Sequence, residues 1–150
     1  GGVGGGFCAH VVVSSYHLVA GMVEDFSRGT WDYVILDEGH IIKNPATKIS
    51  KAMHLLPAKH RLLLTGTPIQ NNLLEFWALV DWATHGKVLG AAAHFKRTFA
   101  TPIVAGQDPR ADAQARLAGQ EAAAMLLVAT RPVLLQRKKC ELVRTQEGLG

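Results

Sequence analysis

Trp31-Asp32-Tyr33-Val34-Ile35-Leu36-Asp37-Glu38-Gly39-His40 is the stretch that decides the fold. Its first six residues are apolar and β-forming enough to predict a buried strand, which ends abruptly on two carboxylates, a glycine and a histidine. Upstream, His10-Val11-Val12-Val13 reads as another short buried strand, ended by Ser14-Ser15. Leu18, Val19, Met22, Val23 and Phe26 then fall at helical spacing on one face, and Ser27-Arg28-Gly29-Thr30 supplies the stop. Downstream, Asn44-Pro45 reads as a helix start with proline in the first turn, and Ile49, Ala52, Met53 and Leu56 form the apolar stripe of a helix that Pro57 breaks. A third strand, Arg61-Leu62-Leu63-Leu64, runs into Thr65-Gly66-Thr67-Pro68. Asn72 with Glu75 reads as an N-cap and its capping-box partner for a helix from about Leu73 to Ala83. That helix is apolar nearly all round and is expected to be largely buried.

Strand and helix alternating three times is the pattern of a parallel sheet with crossover helices on its faces, so the class is α/β. From Gly86 to Pro109 the pattern weakens to loops and short helices, and an Ala-rich helix is predicted from about Ala111 to Thr130, ended by Pro132. The last stretch sets Arg131, Arg137, Lys138, Lys139 and Arg144 around Val133-Leu134-Leu135. The expected organisation is a Gly-rich stretch at 1–6, an α/β part at 7–85, a loop and helical extension at 86–130, and a basic segment at 131–150.

With 150 residues, 48% hydrophobic and 19% charged, the chain can build one domain with a core, which excludes a disordered polypeptide. Its longest apolar run, Ala122 to Ala129, falls far short of the ~20 residues that a bilayer-spanning helix needs. Cys8 and Cys140 match no metal-ligand or redox spacing, which fits a reducing intracellular compartment. The excess of Lys and Arg behind the net charge of +4 lies entirely in residues 76–150, mild enough for an anionic partner or an ordinary solvated surface. The opening GGVGGG lacks the Gly-Lys-Ser/Thr ending of a phosphate-cradling loop. With no initiator Met and no leader pattern, the start at Gly1 reads as a cut within a longer chain.

In open parallel sheets ligands bind outside the carboxyl ends of the strands, so the turns DEGH (37–40) and TGTP (65–68) are expected to be neighbours. Two adjacent carboxylates there suit metal-nucleotide chemistry: Asp37 would hold Mg²⁺ directly or through water, and Glu38 would position the attacking water. By itself an Asp-Glu pair is most often a solvated strand end, and a single histidine is most often structural. His40 stands where it could bridge to Thr65 or Thr67. Ser14, Ser15 and Tyr16 either donate to phosphate oxygens of a nucleic acid or form a turn capped by Ser15. Arg137-Lys138-Lys139 either tracks phosphates or is a solvated tail. Trp31, Trp77 and Trp82 read as core.

The runs WDYVILDEGHIIKNP (31–45) and RLLLTGTPIQNNLLEFWALVDW (61–82) resemble motifs II and III of the Swi/Snf-type ATPases, the double-stranded-DNA translocases of helicase superfamily two. Ser14-Ser15-Tyr16 is similar to that family's Thr-Ser-Tyr segment, FATPIVAG (99–106) to its Phe-x-x-Pro-Ile element, and RPVLLQRKK (131–139) to its Pro-Tyr-Leu-Leu-Arg-Arg-x-Lys segment. The DEGH form, the turn Gly86-Lys87-Val88-Leu89-Gly90 and the Pro-Ile-x-x-Gly element look most like the Cockayne-syndrome-B repair and remodelling branch. Val133 stands where the family usually has Tyr, and Gln136 where it usually has Arg.

The resemblance implies a partial RecA-like lobe in a nuclear protein that hydrolyses ATP with Mg²⁺ and moves along duplex DNA, nucleosomal DNA included. Carried onto matching positions, Asp37 would coordinate Mg²⁺ and Glu38 would activate water, while His40, Thr65, Gly66, Thr67 and Gln70 would couple nucleotide state to DNA contacts. Ser14, Ser15, Tyr16, Arg137 and Lys138 would meet the DNA. The resemblance also places the phosphate-binding Lys loop upstream of Gly1, and the second lobe, with its arginine fingers, outside this sequence. Such fingers supply on the order of 10³–10⁵ in rate, so the chain alone is expected not to turn over ATP. Without the first strands and the loop's helix, the sheet would keep an uncovered edge and face, so the isolated chain is expected to be poorly soluble or molten. Two rivals remain: a degenerate homologue kept as a DNA- or protein-binding module, and a DEAH-type RNA helicase. The second expects Ser-Ala-Thr where TGTPIQNN (65–72) stands.

Overall fold

Strand β1 (Trp31–Leu36) and strand β2 (Ala58–Leu63) pair in parallel, with Trp31 opposite Ala58 and Leu36 opposite Leu63, in a computed structural model that describes residues 11–66 and 72–135. β2 starts earlier than its leucine run predicts, because β1 supplies ladder partners from its first residue: Trp31 N–H donates to Pro57 O at 2.9 Å. The chain divides into two units, Gly1–Gly66 and Thr67–Gly150.

In the first unit, α1 (Tyr16–Gly21) and α2 (Val23–Phe26) replace the single helix that the periodicity predicts. The break falls at Met22, just after Gly21, where the helix loses the backbone restriction that a Cβ supplies. Val19 and Ala20 are buried, whereas Leu18 and Met22 of the expected face are exposed. Val11-Val12-Val13 is not a strand: Val11 is 79% and Val13 93% exposed. β-branched residues favour extended backbone, but a strand also needs a partner for its N–H and C=O groups, and among the described residues nothing pairs with this run. His10 lies outside the described residues.

Between the strands runs α3 (Lys48–Leu55), packed against α1. Thr47 is its N-cap, accepting from Ser50 N–H at 3.2 Å, so Pro45 is not in the first helical turn. Asn44 closes a tight turn around Pro45 instead, its Oδ1 accepting from Ala46 N–H at 3.0 Å. Ala52, Met53 and Leu56 are buried as the stripe predicts, and the helix stops before Pro57. Its last carbonyls are not orphaned: Arg61 Nη2 donates to His54 O at 3.1 Å and to Leu56 O at 3.0 Å. Ser50 is fully buried and satisfied by donating to Ile42 O at 3.1 Å.

The strands are less buried than their apolar composition predicts. Tyr33 and Ile35 of β1 and Leu62 of β2 lie on one face of the pair, which is open among the described residues, with Ile35 56% exposed. Parallel strands bury both faces only where helices cover both.

The second unit begins with α4 (Leu73–Thr84), capped by Asn72, whose Oδ1 accepts from Leu74 N–H at 3.0 Å and Glu75 N–H at 3.3 Å. As expected, the helix is largely buried, with Trp82 fully so and Trp77 donating Nε1–H to Gly90 O at 2.9 Å. His85 and Gly86 end it in left-handed backbone.

From Ala92 onward the expected short helices are present but follow one another in a nearly unbroken helical run: α5 (Ala92–Phe95), a π turn (Lys96–Ala100) and α6 (Thr101–Gln107). Phe95, Phe99 and Ile103 repeat every fourth residue and enter one core with Phe76, Val80, Leu89, Ala122 and Leu126. α7 (Ala113–Thr130) closes that core, capped by Asp112, whose Oδ1 accepts from Ala115 N–H at 2.7 Å. α6 and α7 meet at two glycines: a Cβ on Gly119 would lie 2.9 Å from Pro102 O and 3.0 Å from Gly106 Cα.

Candidate functional site

The parallel register carries Asp37 and Thr65 out of the same end of the sheet. Past the last pair, Leu36–Leu63, Leu64 N–H donates to Leu36 O at 2.8 Å and Gly39 N–H donates to Leu64 O at 2.8 Å. The turn Asp37-Glu38-Gly39 is thereby stitched to the residue before Thr65 and Gly66. The expected neighbourhood of the two turns is present as far as Gly66. Thr67 and Gln70 lie outside the described residues, as do Arg137 and Lys138.

Making that stitch requires the chain to turn sharply at Glu38, which sits in left-handed backbone (φ 50°, ψ 45°). For a non-glycine residue this costs about 1–2 kcal/mol, so the surrounding contacts must hold it. One hold is the Asp37 carboxylate, whose Oδ1 accepts from Glu38 N–H at 2.9 Å. Another is the phenol of Tyr16, which donates to Asp37 O at 2.7 Å from α1. Partial burial, with the Asp37 and Glu38 charges nearby, pushes the Tyr16 phenol up to about 12, so it stays protonated and able to donate at neutral pH.

Gly39 opens a 3-10 turn (Gly39–Ile42) and is buried, because β2 passes directly beneath it. A Cβ at Gly39 would collide with Leu63 Cγ, the branch point of that side chain and not its flexible tip. Gly39→Val is therefore expected to destabilise the fold by about 1–3 kcal/mol through overpacking, read as a lowered thermal midpoint. An unchanged midpoint would show that β2 does not pack against this turn.

Asp37 and Glu38 both expose their carboxylates. His40, in the 3-10 turn, brings Nδ1 to 3.2 Å from Glu38 Oε2, at ion-pair distance but without hydrogen-bond alignment. The arrangement can hold a hard cation at the end of β1 and present a second carboxylate, with an imidazole at its shoulder, to a water molecule.

The Ser14-Ser15-Tyr16 segment divides in its roles. Ser14 is exposed, and Ser15 is the N-cap of α1, its Oγ accepting from Leu18 N–H at 3.3 Å. Tyr16 turns towards Asp37. Sequence reading placed Tyr16 with the serines; the 21 residues to its partner leave no local signal of that contact.

The chain matches the SNF2-related domain over residues 7–148. It is 42% identical over 134 residues to the TATA-binding protein-associated factor BTAF1 of Arabidopsis thaliana, covering 89% of this chain and 6% of that protein. It is 39% identical over 147 residues to the DNA excision repair protein ERCC-6-like of Danio rerio, covering 92% of this chain and 10% of that one. The chain thus spans a tenth or less of these relatives. Among solved structures, the Sulfolobus solfataricus SWI2/SNF2 ATPase core in complex with dsDNA superposes with a TM-score of 0.65 at 34% identity, over 83% of this chain and 24% of that one. The parallel β1–β2 pair with its acidic terminal turn is accordingly part of a RecA-like lobe, and the chain belongs to the SNF2-related domain family of helicase superfamily two.

Proposed function

We propose that the full-length protein is a nuclear, ATP-driven motor on double-stranded DNA acting in repair or chromatin remodelling, and that the Asp37-Glu38 turn is where ATP is hydrolysed. The observation that carries this reading is the stitch between the acidic turn and Leu64, which sets two carboxylates beside Thr65 and Gly66 at the carboxyl end of parallel strands. The family and the duplex bound to the solved ATPase core support it.

The donor set fits Mg²⁺. Asp37 offers an exposed carboxylate at the strand end, and among the described residues no three His, Cys, Asp or Glu side chains form a cage. A cation there would keep most of its ligands as water and phosphate oxygen, which is the habit of Mg²⁺. When bound, Mg²⁺ supplies charge neutralisation on the phosphates. In this reading Asp37 would hold the ion through water, and Glu38 would orient and deprotonate the attacking water. His40, Thr65, Gly66, Thr67 and Gln70 pass the nucleotide state on to the DNA contacts. Ser14 and Ser15 donate to phosphate oxygens, and Arg137 and Lys138 add sequence-independent attraction; a second lobe of the same protein completes the site.

The test is phosphate release by the full-length protein with and without linear duplex DNA. Hydrolysis stimulated several-fold by duplex is the expected result. Duplex binding without any hydrolysis would make the chain a binding module and sink the motor reading.

A further inference from the structure

We infer that Tyr16 is a positioning residue for hydrolysis: its phenol fixes the peptide that joins Asp37 to Glu38, and through it the direction of both carboxylates. The inference rests on reading that turn as the site of ATP hydrolysis.

The peptide between Asp37 and Glu38 is held at both of its polar atoms. Its carbonyl accepts from Tyr16 Oη at 2.7 Å, and its N–H donates to Asp37 Oδ1 at 2.9 Å. Freeing this peptide would let ψ of Asp37 and φ of Glu38 relax, which changes the angle at which Glu38 leaves the strand end that Asp37 occupies. The turn has reason to rotate, because Glu38 sits in left-handed backbone that an L-residue leaves readily when its restraints are loosened. Of the two restraints on that peptide, the one from Asp37 is local to the turn, whereas the phenol reaches it from outside. It is anchored on α1, which Ser15 caps and which packs against α3, so the donor approaches the turn from a separately braced element.

A tyrosine contacting DNA phosphate would spend its hydroxyl proton on the phosphate; here Asp37 O already takes it.

The experiment uses the full-length protein with the Tyr16→Phe substitution, which removes the hydroxyl and keeps the ring. Wild-type protein with duplex-stimulated hydrolysis, and its loss in Glu38→Gln, first establish the site; absence of both would defeat the underlying reading and not this inference. Given that, Tyr16→Phe is expected to lower kcat at saturating duplex roughly fivefold, the effect of one hydrogen bond. KM for ATP and the affinity for duplex, followed by fluorescence anisotropy, are expected to stay within about twofold, a split that general loosening of the lobe does not produce. Rates are taken well below the thermal midpoint of each protein. Incorporating 3-fluorotyrosine at position 16, which restores a donor, is expected to restore the rate. An unchanged kcat, a weaker duplex affinity with unchanged kcat, or failure of the fluorinated tyrosine to rescue would each overturn the inference.

Discussion

Glu38→Gln is expected to abolish duplex-stimulated ATP hydrolysis, lowering kcat by about 10²–10⁴, while ATP still binds. Gln matches Glu in size and can occupy the same exposed position, so the thermal midpoint should stay where it is. What the amide loses is the ability to accept a proton from water and the charge that His40 Nδ1 faces at 3.2 Å. In the proposed mechanism nucleotide binding would draw on the phosphates, the cation and Asp37, none of which the substitution touches. Phosphate release read beside binding of a fluorescent ATP analogue separates the two steps. Turnover near the wild-type rate would remove Glu38 from the mechanism and leave the acidic turn as a solvated strand end.

The largest structural effect is expected at the crossing of α6 and α7. Gly119→Leu should destabilise the protein by at least about 2 kcal/mol, despite the gain of roughly 1 kcal/mol in helix propensity that replacing glycine brings. The reason lies in what a Cβ would strike: Pro102 O at 2.9 Å and Gly106 Cα at 3.0 Å are backbone atoms with no rotamer to adopt. The helices must separate, and Ile103, Ala122 and Leu126 lose contacts in the shared core. Thermal denaturation would show a midpoint lowered by several degrees. A midpoint at or above wild type would mean that the two helices do not approach this closely.

Much of this was legible from local chemistry. The run Trp31–Leu36 forms β1 with the predicted ends, and Asn72 caps α4 because a short side-chain amide before an apolar helix has few better uses. Asp37 and Thr65 share one end of the sheet because parallel pairing admits no other arrangement for two consecutive crossover-linked strands. Where reading failed, the deciding partner was distant or a second signal outweighed the first. Val11–Val13 have strand propensity but no ladder partner among the described residues. Pro45 looked like a first-turn proline, yet Thr47 caps the helix three residues after Asn44. The short helices expected between Gly86 and Pro109 join into one run because Phe95, Phe99 and Ile103 are spaced to enter a single core. Nothing local marks Gly39 or Gly119 as contact points, because the atoms that crowd them belong to other elements.

The π turn at Lys96–Ala100 is the means by which a proline is accommodated in mid-run. An α-helix continued straight through Pro102 would drive its ring into the carbonyl four residues earlier, and widening the preceding turn relieves that collision. The inserted residue also sets phase. Each residue advances a helix by about 100°, so deleting one from this segment would spin the following helix by that angle, carrying Ile103 out of the interior and offering Val104, now facing outward, in a new direction. Length here is fixed by geometry, whatever side chains the turn carries.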